Sequence, residues 1–115
     1  MFPLNRFGSL DSSFQIRSSK GNDAQVTTLC SLDQFHQGGM IFIKNKKYYE
    51  QLLDKLQKGA TFNNAGVVFQ DSFFKTIKMD EKSGPLDRFA FYATVESVDL
   101  ALSRFSKLFY DEFNA

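Results

Sequence analysis

The sequence has no tryptophan, a single cysteine and a single histidine, and its acidic and basic residues almost balance. One cysteine, Cys30, cannot form an internal disulfide, and no CxxC pattern suggests a metal site. A net charge of +1 excludes a strongly basic nucleic-acid binder and an acidic tail protein. The apolar runs are too short to predict a membrane span, and the first ten residues lack the apolar stretch of a signal peptide. We therefore expect a cytoplasmic domain with no structural metal, no cofactor and no nucleic-acid partner.

Aromatic residues are abundant instead. Fourteen phenylalanines and four tyrosines stand among 115 residues, of which 43% are hydrophobic and 23% charged. A chain of this length and composition usually folds as one domain around one core. We predict a single domain over residues 25–115, preceded by a weakly ordered segment over residues 1–24.

Short apolar or β-favouring stretches recur along the chain. They predict strands at residues 14–16, 26–29, 40–43, 66–69 and 88–95. Ser-rich stretches at residues 9–13 and 18–23 predict turns or loops. Alternation along the third of these strands places Met40 and Phe42 on one face, with Ile41 and Ile43 on the other.

Two longer patterns predict the main helices. The first begins after Asn45, a good N-cap residue, and ends before Gly59; its buried stripe consists of Tyr49, Leu52, Leu53 and Leu56. The second begins after Ser97, and its stripe consists of Val98, Ala101, Leu102, Phe105, Leu108, Phe109 and Phe113. Residues 31–34 could cap one helical turn, and residues 79–87 form a loop. Residues 71–78 could form either a strand or a turn of helix, and we favour a short helix followed by a loop. The order predicts an α/β or α+β fold, a small mixed sheet packed with two main helices.

The junction of the third strand and the first main helix carries a possible binding site. Phe42 ends the strand and Tyr48 lies one position off the buried stripe, so the two rings could hold a flat ligand between them. Asn45 offers both a donor and an acceptor, which matches the edge of a pyrimidine base. Three neighbouring lysines could contact a diphosphate: Lys44, Lys46 and Lys47. The alternative is structural, with Phe42 in the core, Asn45 as a helix cap and the lysines on a solvated face.

The segment from Ser31 to Tyr48, with its Phe-x-x-Asn-x-x-Tyr spacing, resembles the N-terminal uridine-binding domain of the UDP-3-O-acylglucosamine N-acyltransferase (LpxD) family of lipid A biosynthesis. Weaker similarity extends over roughly residues 25–110. The resemblance implies that Phe42 and Tyr48 sandwich uracil and that Asn45 helps to hold it. It implies UDP-acylglucosamine or another uridine nucleotide as the ligand.

The sequence also departs from that family. The hexapeptide repeats that carry the family's catalytic residues and trimer contacts are absent from these 115 residues, so we expect no catalytic residue, no turnover by this chain alone and a monomer. The alternative function is a stand-alone interaction or regulatory protein that keeps the fold without nucleotide binding. Its partner would be a lipid A pathway enzyme, bound through the last helix or the Phe73–Phe74 region. His36 is interpreted as a surface histidine and Cys30 as a structural thiol.

Overall fold

A five-stranded mixed sheet forms the centre of the molecule in the computed structural model, which describes residues 2–19, 25–30, 38–59, 64–77 and 86–114. The strands are β1 (Phe2–Pro3), β2 (Gln15–Ser19), β3 (Gln25–Val26), β4 (Thr28–Leu29), β5 (Gly39–Ile43), β6 (Gly66–Gln70) and β7 (Phe91–Val95). The helices are α1 (Leu4–Leu10), α2 (Lys46–Gln57), α3 (Asp71–Phe74) and α4 (Val98–Asn114). The predicted fold class, a mixed sheet with two main helices in one domain, is confirmed.

The sheet has the strand order β2-β7-β6-β5-β4. Strands β4, β5, β6 and β7 are parallel, and β2 adds an antiparallel edge against β7. Strands β1 and β3 form a separate antiparallel pair. Since parallel strands end at the same edge of a sheet, the turns that leave β5, β6 and β7 share one edge.

Helices cover both faces of this sheet, which explains why its central strands β5, β6 and β7 are mostly apolar. On one face, α2 contributes Tyr49, Leu52 and Leu56 to a core with Ile41, Ile43, Val67 and Phe69. On the other face, α1 and α4 contribute Leu4, Phe7, Val98, Ala101, Phe105 and Phe109 to a core with Met40, Val68, Ala93 and Val95. The predicted alternation along β5 is confirmed, since Phe42 packs with Met40 on the α4 side.

Helix α1 was not predicted, although it anchors the N-terminal segment. Phe7 is completely buried, and its ring centroid lies 4.9 Å from that of Phe105 in an edge-to-face arrangement. Burying a phenylalanine side chain stabilises a fold by about 1.5–3 kcal/mol. Leu4 and Phe7, with the partly buried Phe2 and Phe14, therefore attach the N-terminal segment to the α4-side core. Ser18 and Ser19, predicted to lie in a loop, belong to strand β2.

Two other predictions differ from the structure at their boundaries. The strand predicted over residues 88–95 begins only at Phe91, because Phe89 closes a turn by donating its amide to Leu86 O at 3.2 Å. The strand predicted over residues 26–29 divides into β3 and β4, which pair with different partners. The cap predicted at residues 31–34, His36 and residues 79–85 of the predicted loop lie outside the described residues. Within the described part of the chain, no helix is both long and apolar enough to cross a membrane.

Candidate functional site

Asn45 connects β5 to α2 and holds the first turn of the helix. Its backbone is extended, with a φ of −155°, and its side-chain Oδ1 accepts a hydrogen bond from the Tyr48 amide at 3.3 Å. This is the N-cap geometry expected of asparagine. One acceptor position of the side chain is therefore used inside the protein, while the Nδ2 amide group keeps its two donors.

The two aromatic residues of the predicted site differ in their surroundings. Phe42 is half-buried on the α4 side, and its ring centroid lies 6.1 Å from that of Phe105. Tyr48 is 38% exposed, whereas the adjacent Tyr49 is buried against Phe69. The prediction that Tyr48 rather than Tyr49 faces outward is confirmed. The helix cap joins Asn45 to Tyr48, while Phe42 lies on the face of the sheet that α4 covers.

Two of the three lysines form ion pairs with carboxylates. Lys44 Nζ lies 3.6 Å from Asp99 Oδ2, which belongs to the first turn of α4. Lys46 Nζ lies 3.8 Å from Glu50 Oε1, one turn along α2. Lys47 is exposed. The positive charge at the start of α2 is therefore partly neutralised by acidic side chains from two helices.

The junction lies at the edge where the parallel strands end, and the helices that follow β6 and β7 lie on opposite faces of the sheet. Strand β6 continues into α3 on the α2 side, whereas β7 continues into α4 on the opposite side. Ligands of open α/β sheets commonly bind outside the carboxyl ends of the parallel strands, which is this edge. Here Gln70 Oε1 accepts the Val98 amide at 3.2 Å, and Ser97 Oγ accepts the Leu100 amide at 3.3 Å.

Gln70 therefore caps α4 from the neighbouring strand β6. This cap is a tertiary contact between residues distant in the chain, so no local pattern in the sequence could have indicated it. The first-turn amides of α4 that Gln70 and Ser97 bind are satisfied by the protein itself.

Arg17 forms a second polar cluster at the β2 side of the sheet. Its Nε donates to Thr94 Oγ1 at 3.0 Å and its Nη2 to Asp71 Oδ1 at 3.3 Å. Lys75 Nζ lies 2.9 Å from the other oxygen of Asp71. Thr94 is buried, so the guanidinium satisfies a polar group that would otherwise be costly to bury. The cluster places two cations, Arg17 and Lys75, around the single carboxylate of Asp71 and so keeps one positive charge.

A groove of about 460 Å³ lies between α2 and the segment around α3. Its walls are lined by Lys46, Tyr49, Glu50, Leu53, Phe73, Thr76 and Ile77. The rings of Tyr49 and Phe73 meet edge to face with centroids 5.7 Å apart. Of the predicted site residues only Lys46 contributes to this groove. The groove and the β5–α2 junction are thus distinct features that share one lysine.

Cys30, the single cysteine, is half-buried and packs against the α2-side core. Its amide donates to Met40 O at 3.1 Å, which extends the pairing of β4 with β5. Across the described ranges, no three His, Cys, Asp or Glu side chains come close enough together to hold a metal ion.

Comparison of the chain with protein-family models, with curated proteins and with solved structures returned no match. The resemblance to the LpxD family, predicted from the motif around Phe42, Asn45 and Tyr48, therefore stays a prediction.

Proposed function

We propose that this domain binds a uridine nucleotide at the β5–α2 junction. The substrate class is UDP-acylglucosamine or a related uridine nucleotide, and the domain presents it to an N-acyltransferase active site that these 115 residues do not contain. The observation that carries the proposal is the exposed ring of Tyr48 in the first turn of α2, next to the Asn45 cap and three lysines.

In this proposal each residue at the junction has a part. Tyr48 offers an accessible aromatic face on which a base can stack, an interaction of about 1–3 kcal/mol per base. The Nδ2 group of Asn45, which the cap leaves available, donates to a carbonyl oxygen of uracil. Phe42, half-buried beside Phe105, supports the base from the end of β5. The exposed Lys47 meets a phosphate.

The test is a titration with uridine, UMP and a purine nucleotide, followed by NMR shifts of backbone amides. We expect weak uridine binding that shifts residues 42–48, and weaker purine binding. Tyr48→Ala should weaken uridine binding at least about fivefold, since it removes a stacking face. Tyr48→Phe keeps the ring and should retain most of the affinity. Gln51→Ala, at another exposed position of α2, is the matched control and should bind like the wild type.

A second function is favoured by a different observation. The groove between α2 and α3 has an aromatic wall, formed by Tyr49 and Phe73, and lies in the Phe73–Phe74 region named for the interaction-protein alternative. If no uridine nucleotide shifts residues 42–48 at millimolar concentration, the nucleotide proposal is refuted and the interaction function takes its place.

A further inference from the structure

Asp99 is the acidic residue that α4 brings to the β5–α2 junction. Its Oδ2 lies 3.6 Å from Lys44 Nζ, and the two residues are 55 positions apart in the chain. Both side chains are open to solvent, Asp99 to 76% and Lys44 to 43%. The pair therefore joins two separate elements at the place where a nucleotide's phosphates would meet the lysines.

An anionic ligand that approaches Lys44 also approaches Asp99. Two like charges at about 4 Å repel by about 1 kcal/mol even in water, which corresponds to roughly a fivefold change in an equilibrium constant. The uracil and ribose of the nucleoside carry no charge and experience no such repulsion. The diphosphate of a nucleoside diphosphate experiences it fully, and it must also compete with the carboxylate for the Lys44 ammonium.

We propose that Asp99 sets the charge selectivity of the junction, so that the domain favours the uncharged nucleoside end of its ligand and gains little from the diphosphate. This inference rests on the proposed uridine site and adds a specificity residue to it. Glu50 Oε1 lies 3.8 Å from Lys46 Nζ within the same helix, and its charge likewise weakens the attraction of the junction for a phosphate. Lys47, exposed, remains the main contact for a phosphate.

The experiment compares dissociation constants for uridine and UDP, measured by NMR titration at about 20 mM salt, where surface charges are weakly screened. Asp99→Asn preserves the side-chain shape, and Gln70 and Ser97 still cap α4. We expect Asp99→Asn to tighten UDP binding about two- to fivefold and to leave uridine binding unchanged. Adding Lys44→Gln to this variant should cancel the gain.

Asp54→Asn is the matched control. Asp54 is also an exposed carboxylate paired with a lysine, Lys58 at 2.9 Å, but it lies at the opposite end of α2. It changes the net charge equally and should not change the ratio of UDP to uridine affinity. At about 0.5 M salt the difference between Asp99→Asn and the wild type should disappear, because screening removes interactions between exposed charges.

The possible outcomes distinguish the role of Asp99 from the proposed uridine site. No uridine binding by the wild type overturns both. If the wild type binds uridine but Asp99→Asn leaves the ratio of UDP to uridine affinity unchanged, the role of Asp99 is overturned. The same holds if Asp54→Asn changes this ratio equally. In both cases the uridine site stays in place. A shifted ratio in Asp99→Asn alone supports the inference.

Discussion

Replacing Asp11 with asparagine would test how the N-terminal segment is attached to the rest of the domain. Asp11 follows α1 and has a side chain only 3% exposed. Its Oδ1 accepts the Ser13 amide at 2.9 Å and the Ser13 hydroxyl at 2.6 Å, and its Oδ2 lies 3.0 Å from Arg104 Nη1 on α4. Ser13 Oγ in turn accepts the Glu96 amide at 2.9 Å. One carboxylate thus connects α1 to α4 and to the end of β7.

The expected cost follows from what asparagine retains. The substitution keeps the acceptor that Ser13 uses but places an NH₂ group against the guanidinium of Arg104. A hydrogen bond to a charged group contributes about 1.5–3 kcal/mol when buried. Arg104 is half-exposed, so solvent screens part of this interaction, and we expect the free energy of unfolding to fall by about 1–2 kcal/mol.

The same substitution should change the pH dependence of stability. Burial raises the pKa of Asp11, but the hydrogen bonds from Ser13 and the charge and hydrogen bond of Arg104 outweigh it, and the pKa lies below its ordinary value. A carboxyl with a lowered pKa in the folded state contributes stability above its unfolded pKa of about 3.9 and loses it as pH falls through the folded pKa. The advantage of the wild type over Asp11→Asn should therefore be constant at neutral pH and shrink below about pH 4.

Urea denaturation monitored by circular dichroism is the suitable assay, since the chain has no tryptophan. Asp54→Asn, exposed and paired with Lys58, serves as the control and should cost at most about 0.5 kcal/mol. Equal losses in the two variants, or an Asp11→Asn deficit that persists unchanged well below pH 3, would refute the reasoning.

Two glycines give further predictions, both measured by urea denaturation. A methyl group on Gly66 would overlap the ring of Phe91, its register partner on β7, so Gly66→Ala should cost about 1–3 kcal/mol. Adding Phe91→Leu should recover part of this loss, and purely additive losses would contradict the overlap. Gly59 follows α2 with a φ of +94° and open space around a Cβ, so Gly59→Ala should cost about 1 kcal/mol through its backbone alone. A Gly59→Ala protein as stable as wild type would show that this conformation is not required.

The parts of the fold that could be predicted from sequence are those with complete local signals. Helix α2 has a capping asparagine, a four-residue apolar stripe and a terminal glycine, and the structure places it at Lys46–Gln57. The apolar residues of strand β5 lie between Gly39 and Lys44, and their side chains alternate between the two faces of the sheet. Helix α1 has no such signal, because it is only seven residues long and contains Gly8 and Ser9; it is held by the burial of Leu4 and Phe7.

The start of β7 shows a different limit. Residues 88–95 have a uniformly β-favouring composition, but Phe89 packs on the α2 side and Phe91 on the α4 side. Residues two apart in a strand share a face, so the chain must turn between them. Composition could not reveal this turn. At the site, the cap by Asn45 follows from the N-cap preference of asparagine and the exposure of Tyr48 from helix periodicity. The pairing of Lys44 with Asp99 depends instead on which side of the sheet α4 covers.

The attachment of the N-terminal segment across β7 also has a kinetic consequence. The unit β5–α2–β6 forms its contacts within about 30 residues of chain, whereas Ser13 reaches Glu96 over 83 residues and Arg17 reaches Thr94 over 77. Contacts between distant positions require large loops to close, which slows their formation. Strand β2 and its polar anchors should therefore join last during folding, and weakening them should mainly accelerate unfolding.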